Sequence, residues 1–126
     1  MITSNHYYLA EDISASASHG MRVKGASAYS GTCLHLNGHN ITTETNGKAA
    51  IFMMYPDTLN IMGTGTVSGT GDSTVGAALH VSADNAGIKV NILGGTFTKN
   101  GGSAASAVCV STKGGEITMY NGKIAG

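Results

Sequence analysis

The chain has 126 residues, no net formal charge, 41% hydrophobic and 11% charged residues. That size suits one domain with an apolar core and excludes a charge-rich disordered chain, while seven basic and seven acidic residues without runs exclude electrostatic capture of nucleic acid or of an anionic membrane. Nineteen glycines with a single proline and no tryptophan point to many short strands joined by tight corners, not to helices.

Taken from the N-terminus, Met1-Ile2-Thr3-Ser4-Asn5 lacks the basic start and apolar middle of a signal peptide. No later stretch reaches the ~20 apolar residues of a membrane-spanning helix, so membrane insertion is not expected. The first predicted strand is His6-Tyr7-Tyr8, with His6 and Tyr8 inward and Tyr7 outward, followed by a further inward residue at Ile13. A second alternating block, Met21-Arg22-Val23-Lys24, comes next. The first block then recurs as Leu34-His35-Leu36 with Ile41, and the second as Ile51-Phe52-Met53-Met54. Beyond the Tyr55-Pro56-Asp57 corner come Leu59-Asn60-Ile61 with Val67, then Leu79-His80-Val81-Ser82. Val90-Asn91-Ile92 with Phe97, Val108-Cys109-Val110-Ser111 and Ile117-Thr118-Met119 with Ile124 complete the series.

Aligned, the first inward column reads His6, Leu34, Leu59, Val90, Ile117, at spacings of 28, 25, 31 and 27 residues. The second reads Tyr8, Leu36, Ile61, Ile92, Met119, and the third Ile13, Ile41, Val67, Phe97, Ile124. Turn-rich segments such as Gly69-Thr70-Gly71-Asp72, Asn100-Gly101-Gly102 and Lys113-Gly114-Gly115 separate the strands. A unit of 25 to 31 residues cannot bury its own strands, whereas stacking equivalent strands at ~4.8 Å pairs their backbones and seals an apolar interior. This predicts an all-β parallel solenoid of about four to five coils. A β-sandwich, the rival fold, gives no reason for columns to recur at this period.

The segment Leu34-His35-Leu36-Asn37-Gly38-His39-Asn40-Ile41-Thr42 resembles the "LDLNGHTIT" coil of right-handed parallel β-helix proteins, the pectate-lyase-like superfamily. His6 to Ile13 is similar to the first coil of such domains in bacterial secreted and surface proteins, and Gly94-Gly95-Thr96-Phe97-Thr98 to their later "GGTI" coils. The resemblance implies a right-handed parallel β-helix and an extracellular or cell-surface, adhesin-like setting. It implies no single activity, because lyases, hydrolases, adhesins and tail spikes share the coil.

The chemistry that such folds support is sparsely represented. Ser18-His19-Gly20 and Arg22-Val23-Lys24 resemble the Gly-His-Gly and Arg-x-Lys of polygalacturonase-like hydrolases, yet no paired carboxylates accompany them, and glycoside hydrolysis needs two. The seven acids are Glu11, Asp12, Glu44, Asp57, Asp72, Asp84 and Glu116; only Glu11 and Asp12 adjoin, and consecutive residues point apart, which predicts solvated turn charge and no calcium site. His35, His39 and His80 fall on a strand, a turn and another strand, without the helical spacing of a zinc site. Cys33 and Cys109, two coils apart in different strand columns, are too distant for a disulfide and are expected as free thiols. The outward aromatics Tyr7, Phe52 and Tyr55 are candidates for stacking on sugar rings.

The last copy stops in pattern at Lys123-Ile124-Ala125-Gly126, which predicts one β-helix domain over 1–126, either part of a longer solenoid or a self-stacking subunit. Open terminal coils expose strand edges, so His6, Tyr7 and Tyr8 at one end and Ile117, Thr118 and Met119 at the other are expected to self-associate. The expectation is a structural or adhesive module without cofactor or catalytic site. The alternative is a non-catalytic or diverged portion of a polysaccharide lyase or hydrolase that binds carbohydrate.

Overall fold

The computed structural model describes residues 5–23, 31–53, 58–71, 76–81, 87–100, 108–110 and 115–125. The first turn of the chain holds β1 (Asn5–Tyr8), β2 (Ile13–Ala15) and β3 (Met21–Val23). The second holds β4 (Thr32–His35), β5 (Ile41–Thr43) and β6 (Ile51–Met53), and the third β7 (Thr58–Met62), β8 (Thr66–Thr70) and β9 (Leu79–Val81). After β10 (Ile88–Ile92), β11 (Thr96–Asn100) and β12 (Val108–Val110), the series continues in β13 (Gly115–Met119) and β14 (Lys123–Ala125). Equivalent strands stack in parallel into three sheets, ordered β1-β4-β7-β10-β13, β14-β11-β8-β5-β2 and β12-β9-β6-β3. The molecule is an all-β parallel solenoid with three strands to a turn.

Side-chain alternation on each short strand sends one set of residues into the tube, and the next turn covers it. In the second sheet Ile13, Ile41, Val67, Phe97 and Ile124 lie directly over one another, as the sequence columns predict. In the third, Met21, Ile51, Leu79 and Val108 form one column, while Val23, Met53, Val81 and Val110 pair in another. Leu34, Leu36, Ile41, Ile51, Leu59, Ile61, Val67, Leu79, Ile92 and Phe97 are fully enclosed. Each such side chain contributes roughly 1.5–3 kcal/mol on leaving water, and no single turn could supply that enclosure.

The first sheet departs from the expected register in two places. Leu34 pairs with Ile61 and Thr32 with Leu59, so the vertical row is Leu34, Ile61, Ile92 and Met119, and Leu36 does not stand over Ile61. A two-residue slip preserves which face each side chain occupies, so apolar alternation alone cannot choose between the registers. The corner decides: Asn37 and Gly38 both adopt left-handed backbone, at φ 56° and 79°, and the Gly38 amide donates to Thr64 O at 2.8 Å.

At β1 the slip is one residue, which exchanges the faces. Tyr7 pairs with Leu34 in the inward row, and Tyr8 pairs with His35 outside. The expected assignment of His6 and Tyr8 to the interior and Tyr7 to the exterior is therefore reversed. Leu9 accounts for it: it is the buried partner two positions along, its amide donates to His35 O at 3.1 Å, and Asn37 Nδ2 returns a hydrogen bond to its carbonyl.

Only about three turns of the solenoid are covered, fewer than the four to five coils expected. In the first turn Ile13 and Met21 are half-buried, and at the other end Met119 and Ile124 remain 39% and 49% exposed, because a terminal rung has a neighbour on one side alone. Corners are closed by side chains reaching along the axis: Asp12 Oδ1 accepts from the Asn40 amide at 2.9 Å, and Asn40 Oδ1 from the Thr66 amide at 2.9 Å.

Candidate functional site

The residues singled out from sequence do not converge. Tyr7 belongs to the first sheet, where it forms the rim of an end cleft of about 420 Å³ with Tyr8, Leu9, Met21, Val23 and Leu34. Phe52 lies on β6 in the third sheet, and Tyr55 lies outside the described residues. Phe52 is not an open platform: His19 stacks on it at 4.3 Å and 10° between ring planes, and His80 meets it edge-on at 5.3 Å.

This His19–Phe52–His80 cluster gives the Ser18-His19-Gly20 fragment a structural explanation. The Ala49 amide donates to His19 Nδ1 at 2.8 Å, so that nitrogen must carry a lone pair, and the neutral ring holds its proton on Nε2. Burial, then the Lys48 and Arg22 charges, hold the His19 pKa below its ordinary value of 6.5. Gly20 is required by a close approach, since a Cβ there would stand 2.7 Å from the Ala50 carbonyl oxygen. Arg22 is exposed on β3, and Lys24 lies outside the described residues. His80 is 3% exposed and, among the described residues, neither ring nitrogen has a hydrogen-bond partner; burial, then His19, lower its pKa.

Among the described residues the acids gather into no cluster of three. Asp12 serves the corner and also meets His39 Nδ1 at 3.3 Å; Glu44 accepts from Ser14 Oγ at 3.5 Å; Glu116 stands beside Lys89 across β10 and β13. Asp57, Asp72 and Asp84 lie outside the described residues. Among the described residues no three His, Cys, Asp or Glu side chains come together as a metal site would require. Cys33 is a free, half-buried thiol on the first sheet, and the backbone of Cys109 pairs with His80 on the third.

At the outermost described strands, where the sequence places open edges, Tyr7, Met119 and Ile124 are members of inward rows that stay 55%, 39% and 49% exposed. One feature went unread in the sequence. It is a row on the outer face of the first sheet. Register sets Tyr8, His35 and Met62 side by side, and Leu93 and Tyr120 continue the row, their amides donating to Ile61 O and Ile92 O one step past the paired residues. The Tyr8 and His35 rings stack at 5.1 Å and 23°. Next to it runs a polar row of His6, Cys33, Asn60, Asn91 and Thr118, tied by Asn91 Nδ2 to Asn60 Oδ1 at 3.0 Å and by Asn60 Nδ2 to Cys33 Sγ at 3.9 Å. Comparison with protein-family models, with curated proteins and with solved structures yields no match.

Proposed function

We propose that this chain is a structural, adhesive module that extends a β-solenoid by stacking end to end with further copies of itself. The carrying observation is that the inward rows run unbroken to the outermost described strands, where Tyr7, Met119 and Ile124 stay 55%, 39% and 49% exposed. Tyr7 and Met119 terminate one row, and Ile13 and Ile124 terminate another. Bringing one copy's last rung onto the next copy's first places apolar side chain on apolar side chain and lets open strand edges pair. Such a contact joins different surfaces of identical molecules and advances each copy along the solenoid axis, so it does not close into a ring and builds a filament.

Two junctions satisfy the edges. In one, β13 meets β1 and β14 meets β2, preserving both rows. In the other the incoming copy is turned by one face, so that β1 follows β14 as the next strand of the coil and lies on β12, β2 on β13 and β3 on β14; this fills the shorter third sheet. In the first junction Thr118 adjoins His6, and in the second Ser14. Cysteine pairs at these positions, in a chain with Cys33 and Cys109 replaced by serine, distinguish them. The three-sheet parallel order accords with the likeness to pectate-lyase-like coils, and a surface location accords with an adhesive role. Light scattering and electron microscopy of the purified 126-residue chain test the proposal. Rods that lengthen with concentration, and shorten with Met119→Lys, are expected. A strictly monomeric sample over a wide concentration range sinks it.

A further inference from the structure

The corner between β2 and β3 carries an arrangement that the stacking role does not use. His19 reaches from the first turn to the second, where its Nδ1 accepts the Ala49 amide at 2.8 Å and its ring lies on Phe52 at 4.3 Å and 10°. Ala49 is fully buried, and that lone pair satisfies its N–H. The same ring covers a face of Phe52, the outward residue between the buried Ile51 and Met53 of β6.

A proton on Nδ1 ends this arrangement, because the nitrogen then becomes a donor facing a donor. The charged groups around the ring act in the same direction. Lys48, just ahead of β6, and Arg22 on β3 are cations, and His80 on β9, which meets the other side of the cluster at Phe52, adds positive charge once protonated. Burial and then Lys48 hold the His19 pKa below its ordinary value of 6.5, offset only in part by the Ala49 backbone. An imidazolium gains on an aromatic face, but in this seat it does so with the buried amide opposed to it and two cations nearby. The seat is therefore complete above pH 6.5 and is lost as the pH falls through the lower folded value.

Its place in the fold keeps the release local. Among the described strands β3 pairs with β6 alone, so the corner that leads into it lies at the end of the third sheet. The second turn is held to the third by the Ala50 amide on Ala77 O at 3.1 Å and the Ile51 amide on Ala78 O at 2.8 Å, neither of which involves His19. We propose that His19 is an acid-released lid: neutral, it caps the Ala49 amide and covers Phe52, and protonated, it leaves both and bares the aromatic face of β6 while the turns beneath stay closed.

Nuclear magnetic resonance of the isotope-labelled 126-residue chain from pH 8 to pH 4, with Met119→Lys to limit end-to-end stacking, tests it. At pH 8 the ring nitrogen shifts show His19 protonated on Nε2 alone. As His19 titrates, the Ala49 amide loses about tenfold or more of its protection from hydrogen exchange, the Phe52 ring resonances shift, and the Ile51 amide stays protected. His19→Gln, whose Oε1 can accept the same N–H without titrating, holds Ala49 protection level over the range, and His80→Leu leaves the transition in place. Simultaneous loss at Ala49 and Ile51 overturns the proposal in favour of general acid unfolding. A transition that survives in His19→Gln, or that His80→Leu abolishes, overturns it in favour of another group. Ala49 protection unchanged through the His19 titration, or no His19 titration before the chain unfolds, overturns it outright.

Discussion

Replacing His80 by leucine is expected to stabilise the protein and to flatten its response to acid. The imidazole lies on β9 in a T-shaped contact with Phe52, is 3% exposed, and holds two ring nitrogens without hydrogen-bond partners among the described residues. Burying a polar group unpaired costs about 1–3 kcal/mol by mutational measure, and leucine removes that cost while keeping apolar contact with the phenylalanine ring. The net gain at pH 8 is therefore about 1–2 kcal/mol, after some loss of fit. The acid response follows from burial, and then His19, holding the folded pKa of His80 below the ordinary 6.5. Between that ordinary value and the lower folded one, the unfolded chain binds the proton and the folded chain does not. The stability is present above pH 6.5 and is lost as the pH falls toward the folded pKa. Urea unfolding followed by circular dichroism at pH 8 and pH 5 measures both effects. Wild type should lose more between the two pH values than His80→Leu, which retains only the His19 share. A variant that is less stable at pH 8, with the same loss on acidification as wild type, would refute the reasoning.

Gly65→Ala should cost about 2 kcal/mol or more, since the backbone there has φ +148° and a Cβ would lie 2.1 Å from the His39 carbonyl oxygen; the shift in thermal midpoint reads it. Phe97→Ala, at a fully enclosed position on β11 between β8 and β14, should lose about 3–5 kcal/mol in urea unfolding. The register of the first sheet is open to a double-mutant cycle. Leu34→Ala and Ile61→Ala, paired in adjacent strands, should show a coupling of roughly 0.5 kcal/mol or more, whereas Leu34→Ala and Val90→Ala, two rungs apart, should add to within about 0.5 kcal/mol.

The second and third sheets were legible in the sequence because their strands are short and their inward positions unambiguous. Met21-x-Val23, Ile51-x-Met53 and Leu79-x-Val81 each offer one phase, and that phase is the observed one. The first sheet offers more apolar positions than one strand can align. Leu34 and Leu36 both point inward, so sliding by two keeps every face correct, and only the corner at Asn37-Gly38, a matter of backbone geometry, fixes which leucine stands over Ile61.

The outer row was hidden for a related reason. Adjacent aromatics at Tyr7 and Tyr8 satisfy either phase, and choosing His6 and Tyr8 as inward moved one tyrosine from the surface to the core and the other from the core to the surface. Leu9 carried the missing signal, because Tyr7-x-Leu9 is an apolar pair whereas His6-x-Tyr8 buries two polar tips. Tyr120 carried another: it follows Ile117-x-Met119 by one residue, and so belongs outside. An interior strand misread in this way would have put a charged or amide side chain into the tube and exposed the error. A terminal strand has one neighbour, so its phase can be reversed without disturbing any other column, and the surface it shares with the rest of the sheet disappears from view.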